Sequence, residues 1–272
     1  MTLADHWPRF RKEKGGPILD WKRFELSAFH YEPVLHLTPA RFTHQAVDKQ
    51  TAKLAKRLSP GTLRRDLACL RVFATWLVRE GVLPSVPLWS VPAAPPPRTR
   101  FLTPAEMKAI LAVDAPAWFT LATRLAMASG QRINAVLGLK WEQVSHGLLD
   151  FAAGAAARQK RRGVIPILPD VQALLDAVTD RGEYVIGGRS RIHYHIYLHQ
   201  WRKVCAAAGV EGASPHSIRH GVATALISAG VPMLEVSQML GHSSIAITQK
   251  VYVKFDPTYT KNAASRMAAM LS

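Results

Sequence analysis

The stretch from Ser214 to Tyr252 reads SPHSIRHGVATALISAGVPMLEVSQMLGHSSIAITQKVY, and the interpretation of the whole chain starts from it. Its Ser-Pro start predicts a helix that begins at residue 215. His216 and Arg219 are three residues apart, so they lie on one face near the start of that helix. Because a helix N-terminus attracts anions, an imidazole, a guanidinium and the helix dipole can converge there on one phosphate.

Four further groups could serve the same phosphate. His242 follows a glycine at the end of a short predicted helix, and Tyr252 comes ten residues later. The Tyr252 phenol can act as a nucleophile. Upstream, Arg132 follows a glycine break in a helical pattern, and Lys160 lies in the basic turn RQKRRG between two predicted strands. These residue types suit phosphoryl transfer.

These residues resemble the catalytic boxes of the tyrosine recombinases, the phage integrase family. The boxes stand in the family's order, at Gly130, Arg132, Leu139 and Trp141, then at His216–His220, and then at Leu240–Ser243, Thr248 and Tyr252. Upstream, Gly61–Leu67 resembles the family's helical core-binding domain. The chain departs from the family at Ala135, where an acidic residue is frequent, and in the His242-to-Tyr252 spacing, which is one residue longer than usual.

The resemblance implies an enzyme that cleaves and rejoins DNA through a 3′-phosphotyrosyl link. The residues that it assigns to catalysis are Tyr252, Arg132, Lys160, His216, Arg219 and His242. Tyr252 is the nucleophile, and Lys160 is the acid that protonates the leaving 5′-oxygen. Alignment on Pro166 would instead place Arg158 at the family's lysine position, so the identity of the acid stays open between Lys160 and Arg158.

The expected fold is mainly α with a small antiparallel β-sheet. It comprises an N-terminal helical core-binding domain over residues 1–83, a proline-rich linker over 84–100, and a C-terminal DNA breaking-rejoining catalytic domain over 101–272. The predicted helices cover about 39–57, 60–80, 104 onward, 116–129, 133–139, 169–179, 191–207, 215–229, 232–240, 244–254 and 257–270. The predicted strands are 148–151 and 164–168. The last helix, rich in Ala and Met, is the expected docking helix between protomers.

The charge of the chain indicates the partner. The sequence holds 35 Lys+Arg against 19 Asp+Glu, a formal net charge of +16, and both halves of the chain are basic. This favours binding to double-stranded DNA. The arginines predicted to contact DNA are Arg64, Arg65, Arg71, Arg158, Arg161 and Arg162. No cofactor and no metal are expected, and the histidines at 193, 195 and 199 are assigned to packing or phosphate contact.

Composition excludes several other classes of protein. No apolar run reaches the length of a membrane span, and two cysteines do not form a disulfide framework. We therefore expect a cytoplasmic, nucleoid-associated protein of a bacterium or phage, which self-associates as a tetramer on DNA. The expected function is site-specific recombination or integration by a mobile element. Two alternatives stay open: a type IB topoisomerase-like or hairpin-resolving enzyme, and a non-catalytic architectural DNA-binding protein.

Overall fold

The computed structural model describes residues 1–16, 20–95, 100–153, 163–241, 244–245 and 267–270. Its packing divides the chain into two units, Met1–Arg98 and Thr99–Ser272. Each unit has its own hydrophobic core. The predicted fold class, mainly α with a small antiparallel sheet, is confirmed.

The described part of the N-terminal unit contains five α-helices: α1 Trp7–Lys14, α2 Trp21–His30, α3 Glu32–Leu35, α4 His44–Ala55 and α5 Pro60–Arg79. The long helix α5 begins after Ser59, whose hydroxyl accepts a hydrogen bond from the Thr62 amide. Its apolar side chains recur every three or four residues and are buried, as the sequence predicts. Helix α2 packs along α5, and its Trp21, Phe24 and Ala28 are partly buried against this core.

The expectation of one helix over 39–57 was wrong in its first turns. Pro39–Arg41 forms a separate 3₁₀ turn, and α4 starts only at His44. The Thr43 hydroxyl accepts a hydrogen bond from the Ala46 amide at 3.4 Å, which caps α4. A capping side chain at this position starts a new helix and interrupts the run that Pro39 begins.

A buried ionic cluster joins α2 to α5. The Asp66 side chain is fully buried and pairs with the Arg23 guanidinium and with His30 Nδ1, the latter at 2.8 Å. The Ser27 hydroxyl donates to the Asp66 carbonyl oxygen at 2.9 Å. Since a buried carboxylate without partners is strongly destabilising, this cluster fixes the register of the two helices.

The proline-rich segment differs from the spacer that its composition predicts over 84–100. Trp89 is 5 % exposed and belongs to the N-terminal core. The Arg71 guanidinium lies 5.1 Å from the centre of the Trp89 ring, and Arg64 donates a hydrogen bond to the Pro92 carbonyl. Proline does keep this segment extended, but Trp89 is buried between the prolines, whereas Leu88 and Val91 are exposed. We call residues 83–95 the strap.

The second unit contains seven described helices and three strands. The helices are α6 Pro104–Ala112, α7 Ala117–Ser129, α8 Ile133–Val136, α9 Pro169–Asp176, α10 Tyr194–Ala207, α11 Pro215–Ser228 and α12 Met233–Leu240. The strands are β1 Val144–Ser145, β2 Leu148–Asp150 and β3 Val164–Pro166. The predicted helix 133–139 ends early, and the predicted helices 244–254 and 257–270 lie mostly outside the described residues, although 267–270 is helical.

The sheet is antiparallel in the order β1-β2-β3. Leu149 pairs with Val144 on one side and with Ile165 on the other. Strand β1 was not predicted, and β2 and β3 are shorter than the predicted strands. The turn between β2 and β3, residues 154–162, lies outside the described residues.

The core of the second unit lies between α7, α10 and α11. Phe119, Tyr197 and Trp201 are almost completely buried there, and the Thr123 and Tyr197 hydroxyls are 3.0 Å apart. This core holds α7 and α11 side by side, which sets the positions of the residues at their ends. Within the described parts of the chain, no helix combines the length and the apolar composition that crossing a bilayer requires.

The start of α6 yields a pH-dependent prediction. Glu106 accepts hydrogen bonds from Arg100 and from the Thr103 amide, and the Arg100 interaction lowers the pKa of Glu106 from 4.5 to about 2. Glu106→Gln should therefore reduce the free energy of unfolding of this unit by about 1 kcal/mol near neutral pH. The difference in unfolding free energy between the parent and Glu106→Gln should shrink as the pH falls from about 4.5 towards 2. Over this range the stabilisation that comes from the lowered pKa of Glu106 is lost.

Chemical denaturation at a series of pH values measures this effect. Asp170→Asn is the control, since Asp170 forms an exposed ion pair with Arg124 at 3.2 Å and should change stability little. A Glu106→Gln deficit that stays constant down to pH 2 would contradict the assignment.

Candidate active site

The loop that carries Arg132 begins at a sharp turn after α7. Gly130 ends the helix with φ +61°, and a side chain there would place its Cβ 2.6 Å from Leu240 Cδ2. A side chain here would be strained by the left-handed backbone and would displace the end of the Leu240 side chain, and glycine avoids both. The turn leaves Arg132, which is half-buried, directly before α8.

The second arginine lies in the first turns of α11. Pro215 opens the helix, and the Ser217 hydroxyl accepts a hydrogen bond from the Ser214 amide, as in a capping box. His216 is exposed, whereas Arg219 is 3 % exposed and points into the unit. The predicted helix start is therefore confirmed, and the two side chains differ sharply in their access to solvent.

One buried hydrogen bond brings the two arginine boxes together. Arg219 Nη1 donates to the Gly130 carbonyl oxygen at 3.0 Å. Gly130 lies two residues before Arg132, so the guanidinium of one box is fixed to the backbone of the other. The bond joins the Arg219 side chain to the backbone beside Arg132, although the sequence separates the two arginines by 87 positions.

His220 forms a pair with His216 that the sequence analysis left unassigned. Their rings are 4.6 Å apart and meet edge to face at 85°. Burial, and then the charge of Arg219, lowers the pKa of His220 below its ordinary value of 6.5. Its four-residue spacing from His216 was the available signal, because residues at that spacing share a helix face.

The end of α12 contacts the same loop. Gly241 closes this helix with φ +67°, and Gln131 Nε2 donates to the Met239 carbonyl oxygen at 2.7 Å. His242, the next predicted site residue, lies outside the described residues. So do the predicted catalytic residues Lys160 and Tyr252 and the predicted DNA contacts Arg158, Arg161 and Arg162.

The three arginines predicted to contact DNA from α5 have different surroundings. Arg64 and Arg71 contact the strap, as described above, whereas Arg65 is exposed. Helix α4 and its C-cap add an exposed basic face that the sequence analysis did not single out, formed by Lys49, Lys53 and Lys56. Their spacing of four and three residues was the signal for it.

The histidines of α10 show no sign of a metal centre. The His193 and His195 rings stack with their centres 5.7 Å apart. In the portion of the chain that the structure describes, no group of three or more His, Cys, Asp or Glu side chains is arranged to hold a metal ion.

Comparison with known proteins identifies the family. The sequence profile described as the phage integrase family matches residues 100–258, a region that includes every predicted catalytic residue. The chain belongs to the phage integrase family.

Relatives within this family support the assignment. The chain is 28 % identical over 218 residues to the tyrosine recombinase XerC of Rhodospirillum centenum, covering 73 % of this chain and 64 % of the relative. It is 27 % identical over 188 residues to the tyrosine recombinase XerA of Thermococcus kodakarensis, covering 64 % of this chain and 65 % of the relative. The chain thus spans slightly less than two thirds of the length of these two recombinases.

Solved structures share the fold. An integrase of the Tn1549 transposon, bound to transposon right-end DNA, superimposes with a TM-score of 0.80 at 16 % identity and covers 98 % of this chain and 100 % of its own. A lambda integrase tetramer bound to a Holliday junction superimposes with a TM-score of 0.77 at 19 % identity, covering 93 % and 77 %. Neither named relative is a topoisomerase or an architectural protein, so these comparisons do not favour the two alternatives.

The depressed pKa of His220 can be measured directly. NMR titration of its ring protons should give a midpoint below 6.5, because burial and Arg219 disfavour the charged form. Between the two pKa values the unfolded chain binds more protons than the folded chain, so stability should fall as the pH falls through this range. His220→Gln should make that fall shallower, and an unchanged slope would show that His220 titrates normally.

Proposed function

We propose that this chain is a tyrosine-type site-specific DNA recombinase that cleaves and rejoins DNA through a 3′-phosphotyrosyl intermediate. The observation that carries the proposal is the hydrogen bond from Arg219 to the Gly130 carbonyl, which joins the two arginine boxes within the region that matches the family. We also propose that it acts in the cytoplasm, on bacterial or phage DNA.

The proposed reaction exchanges one phosphate ester for another. The Tyr252 oxygen attacks the phosphorus, the bond from phosphorus to the 5′-oxygen breaks, and a 3′-phosphotyrosyl ester forms. His216 takes or holds the tyrosine proton, and Lys160 gives a proton to the departing 5′-oxygen. Attack of a new 5′-hydroxyl on the phosphotyrosyl ester reverses this step and restores a DNA phosphodiester. The reaction therefore needs no external energy source.

The two arginines stabilise the transition state in this proposal. Arg219 is held in place by its bond to the Gly130 carbonyl, so its guanidinium does not reorganise as charge builds on the phosphate. Arg132 reaches the same phosphate from the neighbouring loop, and His242 hydrogen-bonds another phosphate oxygen. The N-terminus of α11, a helix of 14 residues, adds a favourable dipole.

The exposed His216 suits a proton carrier better than the buried side chains around it. Its partner His220 is biased towards the neutral form by burial and by the charge of Arg219. Because the neighbouring His220 ring is neutral, it does not repel the positive charge that His216 would gain on accepting the proton of Tyr252. We assign His216 the role at the tyrosine oxygen on this basis.

DNA contacts are proposed on both units. In the N-terminal unit, Arg65 and the basic face of Lys49, Lys53 and Lys56 are exposed and can reach phosphates. Arg64 and Arg71 contribute their charge from positions that also hold the strap. In the second unit, Arg158, Arg161 and Arg162 of the basic turn are the proposed contacts.

Assembly as a tetramer on two DNA sites is proposed as well. An apolar groove of about 600 Å³ lies beside β3, lined among others by Val164, Leu226 and Val231. Met267 and Met270 of the C-terminal helical turn are 60 % and 84 % exposed. We propose that this Ala- and Met-rich end of one protomer occupies the groove of the next.

Covalent trapping tests the chemistry. On a duplex with a nick near the cleavage position, the unaltered chain should form a protein–DNA adduct that resists denaturation. Tyr252→Phe should abolish the adduct while leaving DNA affinity nearly unchanged, because only the phenol oxygen is removed. Tyr259→Phe is the matched control and should keep the adduct. If Tyr252→Phe still forms the adduct, another residue is the nucleophile.

The groove yields a separate prediction about assembly. Val164→Glu places a charge on a half-exposed position of the groove, so recombination between two sites should fall about tenfold or more while binding to one site persists. Ile196→Glu, at a comparably exposed position on α10, should leave recombination unchanged. Native gel analysis of one-site and two-site complexes distinguishes the two steps, and equal behaviour of the variants would argue against docking in the groove.

A further inference from the structure

Gln131, between Gly130 and Arg132, is a buried residue of the loop that carries Arg132. Its side chain is 2 % exposed, and its Nε2 donates to the Met239 carbonyl oxygen at 2.7 Å. The last carbonyls of a helix have no partner within that helix. Gln131 thus supplies from the Arg132 loop the hydrogen bond that the end of α12 lacks.

The entry to β3 lies against the same contact. A Cβ atom built on Gly163 would be 2.5 Å from the Met239 carbonyl oxygen and 3.2 Å from Gln131 Nε2. Glycine at this position therefore lets the backbone pass directly beside the amide. Three chain segments, at Gln131, Gly163 and Met239, thus lie close together, with no room for a side chain at Gly163.

Each of these segments leads to a proposed catalytic residue. Arg132 follows Gln131 directly. Lys160 lies three residues before Gly163, and His242 lies three residues after Met239. A displacement at this junction would consequently move the attachment points of three catalytic groups at once.

The amide has a defined orientation. With Nε2 directed at the Met239 carbonyl, the opposite orientation would set two oxygens against each other. Among the described residues, no donor reaches the buried Gln131 Oε1.

We propose that Gln131 is a positioning residue, which fixes the Arg132 loop, the entry to β3 and the end of α12 relative to one another through its bond to Met239. The inference rests on the proposed recombinase function. It assigns Gln131 no contact with DNA, so its loss should slow cleavage without weakening binding.

Gln131→Met tests the role, since methionine has a similar length and cannot donate a hydrogen bond. The rate of adduct formation on the nicked duplex, measured with enzyme in excess, should fall about 10²-fold, as expected when reacting groups are misplaced by about 1 Å. DNA affinity should stay within about threefold of the parent. Hydrogen exchange at the end of α12 should become faster.

Gln131→Glu gives a readout that a general loss of stability would not produce. A protonated carboxyl can donate to the Met239 carbonyl, whereas a carboxylate repels it. The rate deficit of Gln131→Glu relative to the parent should therefore shrink as the pH falls, while that of Gln131→Met should be the same at every pH.

Two further variants keep the test decisive. Thr123→Val removes a buried hydrogen bond to Tyr197 elsewhere in the same unit, and it should lower stability without slowing the cleavage step. Gly163→Ala pushes on the Met239 carbonyl while Gln131 is intact, and it should slow cleavage as Gln131→Met does. It provides the second test if Gln131→Met fails to fold.

The outcomes distinguish a failure of this inference from a failure of the proposed recombinase function. If the unaltered chain forms the adduct and Gln131→Met forms it at the parental rate, Gln131 is not a positioning residue. The same holds if Thr123→Val slows cleavage as much as Gln131→Met. If the unaltered chain forms no adduct, the proposed recombinase function fails, and this inference fails with it.

Discussion

The hydrogen bond from Arg219 to the Gly130 carbonyl ties the start of α11 to the end of α7 in a buried environment. Gly130 has a left-handed backbone conformation, and a Cβ built on it would be 2.6 Å from Leu240 Cδ2 of α12. Three helices thus meet at this turn. In the proposed reaction, a guanidinium held in this way does not reorganise as charge builds on the phosphate.

Features with a local cause could be predicted from the sequence. Helix α5 follows from its apolar spacing and its Ser59 cap, and α11 follows from Ser214 and Pro215. The two-residue strand β1 is too short to leave an alternating pattern. The burial of Trp89 depends on α5, which lies outside its own segment, and composition alone therefore suggested a spacer.

The site was predictable in the same uneven way. The arginine and histidine boxes have residue types and spacing that suit binding to a phosphate, and their catalytic roles stay predictions. His220 was within the quoted box, but its altered pKa arises from burial that only the fold creates. The hydrogen bond from Gln131 to the Met239 carbonyl joins residues 108 positions apart, so no local sequence pattern predicts it.

The strap has a consequence for protein engineering. If the N-terminal unit were exchanged for that of a relative, composition would place the joint at the first prolines, near residue 84. Such a joint would leave Trp89 with the wrong partner and remove the ring that Arg71 contacts. The exchangeable module extends instead to Arg98, where packing ends the first unit. A fusion point among residues 96–99 keeps each module's apolar interior with its own chain.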